Sequence, residues 1–167
     1  MHTQFRYALH DLPESSLTES GTVSLPANTI FIPSLGIQSP IVPPEAETEP
    51  AFQEALKNGV VRYPGTAAAG EQGNMYIFGH SSDYVWSKGK YKTVFALLPN
   101  ITKGAVIFIT NENGRMFVYV VKETFVVRPD ERWVLTAYGE GERLLTLQTS
   151  YPLGTALKRF IVRAELR

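Results

Sequence analysis

A chain of 167 residues can bury a core of its own without staples, and a single domain is the expectation. Sixteen Lys and Arg balance sixteen Asp and Glu, so the basic excess that a nucleic-acid or anionic-membrane binder needs is missing. The absence of cysteine excludes disulfides and thiolate metal sites, and no apolar run is long enough to span a bilayer.

Residues 1–23 (MHTQFRYALHDLPESSLTESGTV) are polar, show no clear period and lack the apolar stretch of a signal peptide. They read as an extended or partly helical arm, able to pack as a lid, ahead of a domain over 24–167. TIFIPSLGIQSPIV, from Thr29, is apolar and β-branched but broken by Pro33, Gly36 and Pro40, which suits an edge strand, a kink and a second short strand. PPEAETEP (43–50) is an acidic loop. AFQEALKNG (51–59) is a helix stopped by Asn-Gly. VVRYPGTAAAGEQG is strand then loop, and NMYIFGH (74–80) is a strand ending at His80. A polar-aromatic loop leads to a short helix over 91–101. AVIFIT, RMFVYVVKETFVV, RLLTLQT and RFIVRAEL are strands, the first two joined by the hairpin signal Asn113-Gly114. Both parities of 116–121 are apolar, so that strand should be covered on both faces. Many short strands with two or three short helices predict a mainly β protein, a closed barrel of about eight strands.

Three residues can carry chemistry. His80 follows a strand in a Gly-His-Ser-Ser turn. Ser150 closes another, just before Tyr151-Pro152-Leu153-Gly154. Arg159 opens the last strand nine residues later. Strand ends hold side chains rigidly beside adaptable loops. Taken singly, each is more often bland: a rim histidine, a turn serine, an edge arginine. No Gly-x-Ser-x-Gly elbow supports a serine hydrolase. His2 and His10 lie in the arm, away from any cluster. Asp130, Glu131, Glu140 and Glu142 sit in one loop and make calcium the only cofactor worth weighing, weakly, because acidic loops are usually just solvated.

Together the motifs are more specific. PANTIFIPSLGIQSPIV, GVVRYPGTAAAGEQGNMYIFGHSS and LTLQTSYPLGTALKRFIVRAEL, in that order, resemble the opening strands, the approach to the catalytic histidine and the nucleophile signature of the sortase family, the cysteine transpeptidases of bacterial surfaces. The resemblance runs from about Pro26 to Arg167. It implies a sortase barrel with His80 as catalytic histidine, Arg159 as catalytic arginine and Ser150 at the nucleophile position, where the family has cysteine. It places Thr149, Tyr151, Gly79 and Ser81 beside the substrate. It implies as partners a Leu-Pro-x-Thr-Gly-like sorting signal and an amine on the cell wall or a pilin, no nucleic acid, and a location at the outer face of the cell membrane through an anchor outside this chain. A serine in the cysteine position implies a chain that is inactive or nearly so, most simply through Cys→Ser replacement. The rival readings are a catalytically silent peptide-binding module on the same barrel, a serine hydrolase and an assembly role for the arm. SLPANTI (24–30) looks like a sorting signal, but it lacks the glycine after Thr29 and falls where the first strand starts.

Overall fold

In a computed structural model, residues 24–82, 89–136 and 138–167 are described. The 1–23 arm, and any lid it forms, lies outside these residues, as do 83–88 of the loop after His80. Eight strands close into a barrel: β1 (Thr29–Ile32), β2 (Ile37–Val42), β3 (Val60–Arg62), β4 (Gly73–Phe78), β5 (Val106–Thr110), β6 (Met116–Val127), β7 (Arg143–Tyr151) and β8 (Lys158–Leu166). Around the barrel they run β1-β2-β3-β4-β7-β8-β6-β5. The pairs β2–β3 and β4–β7 are parallel, and the rest are antiparallel.

The punctuation of the sequence explains the first turn of the chain. Pro33 opens a single 3-10 turn over Pro33–Leu35, and Gly36, at φ +63°, ends it in the left-handed region. The chain then returns as β2, pairing Ile32 with Ile37. The helix α1 spans Glu49–Leu56, two residues earlier than its apolar pattern suggests. Thr48 caps it by accepting from Ala51 N–H, and Pro50 is tolerated in the first turn, where an N–H would be unpaired anyway. The expected helix over 91–101 is absent. Those residues form successive turns and one 3-10 turn at Leu98–Asn100, where Pro99 lacks the N–H a longer helix would require. The short helix α2, Trp133–Thr136, was not expected.

Alternation decides which side chains fill the barrel. Met75 and Ile77 of β4, Leu145 and Leu147 of β7, and Phe160, Val162 and Ala164 of β8 point inward and are buried with Ile30, Ile32, Ile107, Ile109 and Phe95. The first half of β6, 116–121, is covered on both faces, as its composition suggests. Tyr119 and Val121 enter the barrel, while Val118 packs outside it against Phe31 and Phe108. The β5–β6 hairpin forms at the Asn-Gly signal, but over a longer loop. Asn111 anchors it: its carbonyl accepts from Gly114 N–H, and its side chain accepts from Asn113 and Arg115 N–H. Only Gly114 takes positive φ there, so the turn is not the two-residue form in which Asn would adopt it too.

Candidate active site

The outward residues of β4, β7 and β8 form rows, because three adjacent strands are paired in register. Tyr76, Thr146 and Arg163 make one row, and Phe78, Gln148 and Ile161 the next. The ladder then runs one residue beyond β4: Gly79 N–H donates to Gln148 O at 3.1 Å, and Thr149 Oγ1–H donates to Gly79 O at 2.9 Å. On the other side of β7, Ser150 stands directly opposite Arg159. Ser150 and Arg159 thus share a third row, and His80, two residues past the end of β4, lines the same groove with them.

The elements differ slightly from the sequence reading. β4 ends at Phe78, two residues before His80, β7 runs one residue past Ser150, and β8 begins one residue before Arg159. The divergence at His80 has a cause. Its carbonyl accepts from Phe95 N–H at 2.9 Å, so the chain leaves the sheet toward the 89–101 segment. Gly79 permits this close approach. A Cβ there would meet Phe95 Cδ2 at 2.8 Å and Val60 Cγ1 at 2.9 Å, both in the core.

Thr149 and Gly79 line the same groove, Thr149 with its hydroxyl committed to Gly79. Tyr151 and Ser81 are not among the lining residues. Tyr151 faces the core, its ring 5.7 Å from that of Phe160, and Ser81 is 3% exposed.

The groove encloses about 340 Å³. One wall is α1 with Tyr63, where Phe52 touches Tyr63 and Phe78 at ring separations of 5.6 and 5.4 Å. The other wall is the β6–β7 loop through Pro129, Glu131, Arg132, Val134 and Leu135. Across the two, Arg132 Nη2 donates to Tyr63 Oη at 2.8 Å. The floor holds Tyr76, whose hydroxyl donates to Gln148 Oε1. Burial pushes the Tyr76 phenol above the ordinary tyrosine range, against the lowering pull of Arg163, Arg159 and Arg132. None of Phe52, Tyr63, Tyr76, Arg132 and Gln148 stood out in the sequence. The period-2 pattern of β4 and β7 holds a signal for two of them, since Tyr76 and Gln148 share parity with His80 and Ser150.

Arg159 is half-buried and partly committed. Its Nη1 donates to Ala156 O at 3.1 Å and to Lys158 O at 3.0 Å. Both hydrogens of that nitrogen are thereby used, while Nε and Nη2 meet no acceptor among the described residues. Ser150 Oγ likewise makes no hydrogen bond among them. Three acidic residues of the β6–β7 loop make local bonds. Glu131 Oε2 accepts from Arg128 N–H, Glu142 Oε2 from Gly139 N–H, and Asp130 lies 3.5 Å from the Arg128 guanidinium. Among the described residues no three His, Asp or Glu side chains gather to hold a metal.

The loop wall is fixed by a buried polar brace. Asn74 Nδ2 donates to Val134 O and Leu135 O, both at 3.1 Å, and Asn74 Oδ1 accepts from Thr146 Oγ1 at 2.7 Å. Arg163 Nη2 adds a 3.0 Å bond to Val134 O. Asn74 is 2% exposed, so its removal leaves polar groups stranded. Asn74→Ala is expected to cost about 1–3 kcal/mol in urea unfolding, with hydrogen exchange quickened first over 128–142.

The fold and site place the chain among known proteins. A family model described as a Sortase domain matches residues 30–167. Among solved structures, the chain is similar to a sortase D5 transpeptidase of Clostridium perfringens, with 28% identity over 83% of this chain and 77% of that one, at a TM-score of 0.67. It is similar to sortase C-1 of Actinomyces oris, with 27% identity over 83% and 72%, at 0.69. Sortase C1 of Streptococcus suis, 19% identical over 84% and 72% at a TM-score of 0.70, shares the fold. No curated protein matches the sequence.

Proposed function

Because the chain belongs to the sortase family of transpeptidases, we propose that its groove binds an extended sorting signal of the Leu-Pro-x-Thr-Gly type, and that His80, Ser150 and Arg159 mark the reacting centre. The observation that carries this reading is that arrangement: a histidine just past the end of β4, a nucleophile-type side chain on β7 and an arginine opposite it on β8, all lining one groove. In the complete reaction a thiolate at position 150 attacks the threonine carbonyl of the Thr-Gly bond. His80 protonates the departing amine, the C–N bond breaks, and an acyl-enzyme forms. The unspent Nε and Nη2 edge of Arg159 steadies the oxyanion or holds the peptide carbonyl. An incoming amine, from the cell wall or a pilin lysine, then takes the acyl group and frees the nucleophile. The work belongs at the outer face of the cell membrane.

With serine at position 150 the same groove binds but barely reacts. A hydroxyl needs a base to take its proton, and Ser150 Oγ has no described hydrogen-bond partner to serve as one. The chain as it stands should therefore bind Leu-Pro-x-Thr-Gly-like peptides saturably, without consuming them, and should resist a fluorophosphonate. Titration monitored by peptide fluorescence, with mass spectrometry of the treated protein, checks both. Labelling of Ser150 would make serine a working nucleophile and turn the reading toward a hydrolase. Failure to bind any such peptide would remove the groove reading itself.

A further inference from the structure

Gln148 is an unexpected residue for its place. It sits two positions before Ser150 on the same outward face of β7, half-buried, in a row flanked by Phe78 and Ile161. A primary amide between two apolar neighbours is costly unless its polar atoms are paired. One of them is: Oε1 accepts from the Tyr76 hydroxyl, which comes up from the row below. Tyr76 is 2% exposed, and burial holds its phenol protonated well above the ordinary range. The contact is with the amide oxygen, which accepts from that hydroxyl. In this structure that contact sets which way the carboxamide faces. Its nitrogen is turned away from Tyr76, and among the described residues no group accepts from Nε2.

The spacing shows what that nitrogen can meet. Two residues along a strand cover about 7 Å. An extended peptide lying along β7 repeats its carbonyls on one side with the same period. If its scissile carbonyl is at Ser150, the carbonyl two residues away falls at Gln148.

We infer that Gln148 is a substrate-positioning residue, donating from Nε2 to the peptide carbonyl two residues from the scissile one, with Tyr76 holding the amide in the donating orientation. The inference rests on the groove reading above and adds to it a selection for extended backbone, whatever side chain the peptide carries at that point.

The test is peptide affinity, by fluorescence anisotropy, for the full chain and for Gln148→Glu, Gln148→Leu and Tyr76→Phe, each checked for fold by circular dichroism and thermal melting. Gln148→Glu keeps the size and still accepts from Tyr76, but it cannot donate. Each Gln148 variant should bind a Leu-Pro-x-Thr-Gly peptide about five- to tenfold more weakly. Tyr76→Phe should lose about two- to threefold, since the amide is still present but free to turn. The second ligand is the same peptide with that single carbonyl reduced to methylene. It should lose affinity for the original chain by a similar factor and lose almost nothing further with either Gln148 variant, the non-additivity that marks a direct contact. Folded Gln148 variants that bind like the original, or losses from protein and peptide changes that simply multiply, would overturn the inference while leaving the groove reading in place. A folded original chain that binds no peptide overturns the groove reading and this inference with it.

Discussion

Ser150→Cys is expected to raise acyl-enzyme formation by on the order of 10³-fold or more, from a rate near background to one seen directly as a mass increase at the introduced thiol. The reasoning is chemical and positional. A free thiol has a pKa of about 8.5, so a few per cent is thiolate at neutral pH before any neighbour helps. An alcohol has no comparable anion and depends wholly on a base. The substitution changes one atom on a strand whose neighbours fix its direction: Thr149 is tied to Gly79, and Ser150 is paired with Arg159. Little rearrangement should follow, so the chemistry alone is tested. The measurement is intact-protein mass spectrometry after incubation with a small set of Leu-Pro-x-Thr-Gly-like peptides, with and without an amine acceptor. The amine should discharge the adduct and yield a joined product. If the cysteine variant folds, binds peptide and never forms an adduct, the barrel is a peptide-binding module and the transpeptidase reading is wrong. If the serine chain forms the adduct as fast, Ser150 is itself a competent nucleophile.

In the Ser150→Cys background, Arg159→Ala is expected to lower kcat/KM by about 10²–10³-fold, with most of the loss in kcat if the guanidinium serves the oxyanion and in KM if it serves the bound peptide. Arg159→Lys should recover little. The arginine side chain divides its donors: Nη1 holds the carbonyls of Ala156 and Lys158, which leaves Nε and Nη2 as a preset fork. An ammonium cannot grip two backbone carbonyls and present a fork as well. Stability should barely change, because Arg159 lies at the groove rim, outside the core clusters. Steady-state kinetics over a peptide series decides the split, and a loss smaller than about threefold with alanine would remove Arg159 from the mechanism.

Most of the barrel was legible because strand parity and turn residues carry the information locally. Pro33 and Gly36 marked the β1–β2 turn, Asn58-Gly59 the end of α1, and the doubly apolar stretch 116–121 a strand covered on both faces. The 91–101 helix failed because helix-forming side chains there are anchored instead by backbone bonds to His80 and by Pro99, which composition does not reveal. His80, Ser150 and Arg159 could be singled out from motif order, but their meeting in one groove depends on the β4–β7 register, a pairing between segments 70 residues apart. The groove walls were less legible still. Arg132, Tyr63 and Phe52 come from three separate segments, and the Asn74 brace joins a strand to a loop 60 residues on. Ordinary polar and aromatic residues acquire these roles only from where the fold carries them.

The parallel pairing of β4 with β7 also has a kinetic consequence. Ser150 and Arg159 belong to an antiparallel hairpin closed by a turn at Pro152–Thr155, so they can find each other early, within a short contour of chain. His80 can join them only after the long intervening segment is looped back, and the entropy of that closure is lost before a single rung of the ladder repays it. In the Ser150→Cys chain, activity should therefore appear late during refolding, since a species with only the β7–β8 hairpin formed lacks His80 and should be inactive.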